Sequence, residues 1–290
     1  QSFFSAINAS IASMTTTAAV PVFDNGTGSY IRISGTQHTE AVSSMPDWLA
    51  QMLHNLILTG QCTDITLELN DSLMTQVLDS GTVSTSSDFV LAGTCTTSFQ
   101  TSGANRSNNI AVGASRLNNL IVLPGQTVSV SDTILPRTRA NGYKEAGVYV
   151  NGAHTTGLGG GVCQISSTVY NAVKNAGLTV VQRNPHSMPV SYLPKGLDAA
   201  IAAGSKDLKF RNDYTTPVVL YTDTSNKHLT VNVLVWNQEL AGRSFKLWAK
   251  QTGALSADTY FTTYLNGKEI STQFVGTSRY NPYREAVNDD

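Results

Sequence analysis

The sequence predicts an α+β fold, a mostly antiparallel sheet with a few helices, with a catalytic-type cysteine at a helix N-terminus. Three observations carry this reading. Short β-rich runs separated by turn dipeptides dominate the second half of the chain. Only a few stretches show helical periodicity. The stretch "GLGGGVCQISSTVYNAV", residues 157–173, sets a cysteine behind three glycines and ahead of an apolar periodic run. The 290 residues suffice for one large domain or two smaller ones with ample core.

The elements follow in chain order. "SFFSAINASIASM" reads as an amphipathic helix, and "VPVFDNGTGSYIRIS" as a hairpin turning at Asn25-Gly26. "MPDWLAQMLHNLIL" places Pro46 in a first helical turn and Trp48, Leu49, Met52, Leu53 and Leu56 on one face. "NDSLMTQVL" reads as a short capped helix. From about residue 91 the texture changes. "NRSNNIAVGASRLNNL" is helical, "LPGQTVSV" is a Pro-Gly turn entering a strand, and "GVYVNGAHTT" is a hairpin at Asn151-Gly152. The glycine loop and a helix ending at Gly177 come next. Strands then dominate: "LTVVQR", "MPVSYL", "DLKFRN", "PVVLYT" and "HLTVNVLVW". A last hairpin, "YFTTYLNGKEISTQFV", turns at Asn266-Gly267.

Composition narrows the function classes. A net charge of −1 and only 13% charged residues, against a usual share of about 25%, give no basic patch for nucleic acid. Ser, Thr, Asn and Gln supply the polarity instead, a pattern that suits a secreted protein. No apolar run approaches the ~20 residues of a membrane span. The opening "QSFFSAINASIASM" shows no basic stretch and no cleavage site. The cysteines are Cys62, Cys95 and Cys163, an odd number. Cys62 and Cys95 are the pair expected to bridge in an exported chain, leaving Cys163 reduced. Their spacing fits no zinc motif, and the five histidines are scattered, so neither a metal nor a cofactor is expected.

Gly159, Gly160 and Gly161 allow a sharp turn and close approach by another molecule. Val162, Ile165, Val169, Val173 and Ala176 recur at helical spacing as a buried stripe, which puts Cys163 in the first turn. Free N–H groups and the positive dipole end there favour a thiolate. The N–H groups from Gly161, Val162 and Gln164 can stabilise an oxyanion. Ser166, Ser167 and Tyr170 flank the sulfur on the same face. The same pattern also fits a small cysteine packed in the core. A nucleophile needs a base, itself oriented by a third group. His186, in "RNPHSMPVSY", and Asp198, in "PKGLDAA", follow in that order. That is the order of papain-like and transglutaminase-like sites.

The stretch from Gly157 to Leu220, with its "GGGVCQISS", "PHSMPVSY" and "GLDA" blocks, resembles the VanW domain family. "TSFQTSGANRSNNI", "LPGQTVSVSD" and "RTRANGYKEAGVYVNG" upstream resemble it too. The likeness covers residues 91–237. Residues 1–90 form a small mixed region, set beside the family's peptidoglycan-binding-like region, and 238–290 a β-rich C-terminal extension. One departure stands at Val128, where the family carries an aromatic residue. The resemblance implies an exported protein of Gram-positive bacteria, extracellular or cell-wall associated, with any signal or anchor segment outside this chain. Its name comes from a vancomycin-resistance cluster.

Some members act as L,D-transpeptidases through the cysteine of the GGGxCQ block, here Cys163. Arg183 and Arg106 lie in family-like blocks and can hold a substrate carboxylate, or form structural salt bridges. Ser166, Ser167 and Tyr192 complete the expected substrate-binding set. The expected partner is the peptidoglycan stem peptide, and the expected reaction acyl transfer through a Cys163 thioester. A cysteine peptidase and a non-catalytic wall-binding module are the alternatives.

Overall fold

The computed structural model describes residues 20–24, 29–35, 64–69, 89–150, 153–202 and 204–282. The chain divides into two compact units, Gln1–Phe89 and Val90–Asp290. In the first, β1 (Val20–Asp24) pairs antiparallel with β2 (Ser29–Gly35), which is what a hairpin about Asn25-Gly26 requires. β3 (Asp64–Leu69) adds to β2 in parallel. The expected helices at 2–14, 45–58 and 70–78 lie outside the described residues, as does Cys62.

The second unit begins with β4 (Phe89–Ser98) and α1 (Ala104–Ser115). There follow β5 (Leu120–Val122), β6 (Thr127–Ser129), the short α2 (Val130–Thr133), β7 (Glu145–Val150) and β8 (Ala153–Leu158). After α3 (Val162–Asn175) come β9 (Thr179–Gln182), β10 (Lys209–Arg211), β11 (Val218–Asp223) and β12 (His228–Trp236). The single turn α4 (Asn237–Leu240) leads to β13 (Arg243–Gly253), β14 (Ser256–Leu265) and β15 (Lys268–Arg279). Four small sheets result, in the orders β4-β12-β11-β5, β6-β10-β9, β13-β14-β15 and β7-β8. The fold is α+β and mostly antiparallel.

Local chemistry explains the element ends. Asn266 and Gly267 both take positive φ, the pairing a two-residue hairpin needs between β14 and β15. Gly177 takes φ +82 just past α3, and the Leu178 N–H closes back on Val173 O at 3.0 Å. In β12, Leu229, Val231, Val233 and Val235 alternate into the core and are fully buried. Val128 is buried opposite Phe210 in the β6–β10 register, so the partner strand supplies the aromatic bulk.

α3 is the centre of this unit. The expected stripe of Val162, Ile165, Val169, Val173 and Ala176 is buried, and so are Gln164, Ser166, Ser167, Thr168 and Asn171. The helix is therefore enclosed on nearly every side, unlike a surface helix with one apolar stripe. β12 and β13, from different sheets, both pack against it.

One expectation fails. The "MPVSYL" stretch forms no strand, and the chain is irregular from Arg183 to Asp198. Pro189 offers no N–H to a ladder, and the backbone polar groups nearby pair with side chains instead. Cys95 is a free thiol on β4, packed against the core, where burial pushes its pKa up to about 12. Its expected bridging partner, Cys62, lies outside the described residues.

Candidate active site

The glycine run builds the start of α3. Gly161 is the N-cap, at φ +109. A Cβ on Gly160 would stand 2.6 Å from Gly147 O of β7, so the loop lies directly on that strand. The run thus serves close packing within the protein itself, rather than the approach of another molecule. Cys163 is the second residue of the helix and is half-buried. Its Sγ lies 3.3 Å from the Ile201 carbonyl, to which the neutral thiol can donate.

His186 and Asp198 arrive on the irregular segment after β9. The His186 Nδ1–H donates to Asp198 Oδ2 at 2.7 Å, and the His186 backbone N–H donates to the same oxygen at 2.7 Å. Nε2 is then the nitrogen within hydrogen-bonding reach of the Cys163 sulfur. Asp198 is wholly buried and its carboxylate is fully partnered. Its other oxygen accepts the Tyr280 hydroxyl at 2.5 Å and lies 3.4 Å from Arg183 Nη2. The structure therefore brings Cys163, His186 and Asp198 together, with the ring hydrogen-bonded to the carboxylate and interacting with the sulfur.

Electrostatics sets the charge states. Burial works against a Cys163 thiolate, but the His186 hydrogen bond and charge outweigh it, with help from the Ile201 backbone and Arg137. The thiol falls below its ordinary range. Burial likewise disfavours an imidazolium, yet Asp198 and Cys163 raise His186 to about 9. Asp198 is lowered against its burial by His186, Tyr280 and Arg183. Both shifts favour a thiolate–imidazolium pair, oriented by a carboxylate.

The other expected residues fall into distinct settings. Arg183 is committed inward. Its Nε donates to Asp198 O at 2.7 Å, Nη1 to Ser278 Oγ at 3.0 Å and Nη2 to Gly196 O at 3.1 Å, with its plane over the Tyr170 ring. These are the contacts of a structural brace rather than of a ligand-holding group. Arg106 donates to Ser102 Oγ at 2.6 Å and to Gln164 Oε1 at 2.8 Å. The Gln164 amide in turn donates to Thr97 and Ser98, so this side chain is a buried strut.

Ser166 and Ser167 are fully buried and tie α3 to Ala199. The Tyr192 hydroxyl lies 3.4 Å from Ser167 Oγ, and burial raises its pKa, keeping it neutral. Among the oxyanion candidates, the Gln164 N–H is engaged by Gly161 O at 3.0 Å and the Val162 N–H turns to Gly159 O at 3.4 Å.

Sequence reasoning missed Tyr280. Its hydroxyl donates to Asp198 and accepts the Gly196 N–H at 2.6 Å. Thr259 on β14 also donates to Gly196 O, and the Asn281 N–H to Ser187 O. The C-terminal sheet thus clamps the segment that carries His186 and Asp198. Tyr280 sits in "SRYNPYRE", where no local pattern marks it.

The family described as VanW like protein matches residues 105–234. The uncharacterized protein YoaR of Bacillus subtilis is 42% identical over 128 residues, covering 44% of this chain and 42% of the relative. The vancomycin B-type resistance protein VanW of Enterococcus faecalis is 36% identical over 114 residues, 38% of this chain and 42% of the relative. The chain thus spans less than half the length of the curated relatives it matches. No solved structure matches it. Cys163, His186 and Asp198 all fall inside the matched segment while Tyr280 lies beyond it, and that segment, just under half of the chain, is similar to the VanW-like protein family.

Proposed function

We propose that this is an exported cell-wall protein that performs cysteine-dependent acyl transfer on peptidoglycan stem peptides, forming L,D-transpeptidase-type cross-links. The observation that carries the reading is the grouping of Cys163 at a helix start with His186 and Asp198, the ring bonded to the carboxylate at 2.7 Å and the thiol lowered by the ring. A relative named for vancomycin resistance supports a cell-wall role.

In the proposed reaction the Cys163 thiolate attacks a stem-peptide carbonyl. The carbon–nitrogen bond breaks, and the departing amine takes the proton held on His186 Nε2. A thioester remains on Cys163. An amine from a second stem then loses a proton to the neutral ring and displaces the sulfur, giving the cross-link and restoring the ion pair. Asp198 keeps Nδ1 protonated and the ring in register throughout.

The test is purified protein with a disaccharide-tetrapeptide, read by mass spectrometry. Wild type should give dimer and an adduct on the Cys163 peptide. C163A should give neither, while losing roughly 1 kcal/mol of stability at most. Trimmed monomer without dimer would make the protein a peptidase. No adduct and no product, with both proteins binding the wall equally, would make it a binding module.

A further inference from the structure

Two arginine stems bracket the glycine run. A Cβ on Gly161 would stand 2.9 Å from Arg106 Cγ, and one on Gly159 would stand 3.0 Å from Arg137 Cδ. Both glycines have positive φ, which side-chain-bearing residues rarely adopt. The run therefore seats two guanidinium-bearing chains against the loop that opens into Cys163. Their situations differ. Arg106 is anchored to Ser102 and Gln164, and Arg183, the third arginine nearby, is braced on Asp198, Gly196 and Ser278. Arg137 is half-buried, yet its guanidinium makes no hydrogen bond and no ion pair among the described residues. Its neighbour Arg139 is paired with Glu145 at the surface.

A half-buried guanidinium without a partner is a poor arrangement unless something arrives to pair with it. Its flat fork of donors matches a carboxylate two bonds at a time. We propose that Arg137, seated on Gly159 beside the helix start that bears Cys163, recognises a free carboxylate on the acyl donor. The inference rests on Cys163 being the nucleophile. It assigns the substrate class: a peptide with an ionised carboxylate close to the carbonyl that is attacked. That carboxylate can end the departing residue or sit on the side chain of the acyl residue. The sulfur itself feels the Arg137 charge, which agrees with the placement.

Alkylation of the full chain tests this without any transferase activity. The thiolate displaces iodide from iodoacetate, an anion, or from iodoacetamide, its neutral counterpart, forming the same sulfur–carbon bond. The ratio of the two rates, mapped on the Cys163 peptide, cancels any change in thiolate fraction. R137Q should lower that ratio about tenfold, the loss of one charge-assisted contact. R139Q removes equal charge from the same loop and should leave the ratio unchanged. R137K, which keeps the charge without the fork, should lose less than R137Q. An unchanged ratio in R137Q, or an equal fall in R139Q, overturns the proposal.

Tetrapeptide donors amidated at the terminal carboxyl, or at the side-chain carboxyl, then locate the group. The amidation that abolishes the advantage of wild type over R137Q marks it. A tenfold fall in the alkylation ratio together with no acyl transfer by wild type would uphold the carboxylate site and overturn the transferase reading.

Discussion

Replacing Tyr280 with Phe removes one hydroxyl and keeps the ring. That hydroxyl holds two buried contacts: it donates to Asp198 Oδ1 at 2.5 Å and accepts the Gly196 N–H at 2.6 Å. A hydrogen bond to a charged group contributes about 1.5–3 kcal/mol, and a buried N–H left alone costs about 1–3 kcal/mol. The two are coupled through one atom, so about 2–4 kcal/mol in total is the reasonable expectation. For a unit of this size that lowers Tm by roughly 4–16 °C.

The chemical consequence is separate from the stability loss. Asp198 loses a donor that stabilises its charge, so its pKa rises and its hold on the His186 proton weakens. The imidazolium becomes less favoured and the Cys163 pKa climbs. The assay is the pH profile of Cys163 alkylation, followed on its own peptide. Y280F should move the acidic limb to higher pH and lower the rate near neutrality. Y214F, which loses a hydroxyl contact to Ala176 O at 2.7 Å elsewhere in the unit, should lower Tm without moving the profile. A Y280F protein that melts early with an unshifted profile would show Tyr280 to be structural only, and would refute the clamp on the carboxylate.

Three further outcomes follow from the geometry. H186A should cut acylation of Cys163 by roughly 10²–10⁴, whereas H228A, in which the ring lost is bonded to Asn226 O away from Cys163, should not. His186 is raised from 6.5 to about 9 on folding, so its contribution to stability is complete below pH 6.5 and is lost as pH climbs through about 9. The lowered Cys163 thiol contributes with the opposite slope, so the ring is read with the thiol removed: the Tm of C163A, in which Asp198 still raises the ring, should fall as pH climbs above 6.5 by more than that of the C163A/H186A double variant, measured by calorimetry, and equal losses would contradict a raised ring. G160A forces a Cβ to within 2.6 Å of Gly147 O and should cost about 1–3 kcal/mol in urea unfolding, with a slower Cys163 alkylation. A neutral G160A would show that the loop can lift off β7 freely.

The start of α3 was readable because its signals are local. Three glycines, an apolar stripe at helical spacing and a closing Gly177 all lie within one stretch of chain. His186 and Asp198 were readable as a chemical order, though not as a contact, since nothing in the sequence states how the segment after β9 folds back. "MPVSYL" misled because its alternation suits a strand, while Pro189 lacks a ladder N–H and nearby backbone groups bond to side chains. Arg183 stood open between carboxylate binding and a structural salt bridge. Its residue type suits carboxylate binding, but only the tertiary fold shows that Asp198, Gly196 and Ser278 already hold it. Tyr280 and Arg137 were invisible, because each acts across the fold through one contact surface that leaves no periodic trace.

The clamp from Tyr280 onto Asp198 also bears on when the sulfur becomes dangerous. A chain is made from its N-terminus, so Cys163 emerges long before Tyr280. Until the final strands dock, Gly196 and Asp198 lack their anchor, and the imidazolium that activates the sulfur is not held in place. A half-made or clipped chain thus displays something near an ordinary thiol, slow to react with whatever it meets. On the proposed reading, full nucleophilicity comes only with docking of the C-terminal sheet, and completion of the fold acts as the safety catch.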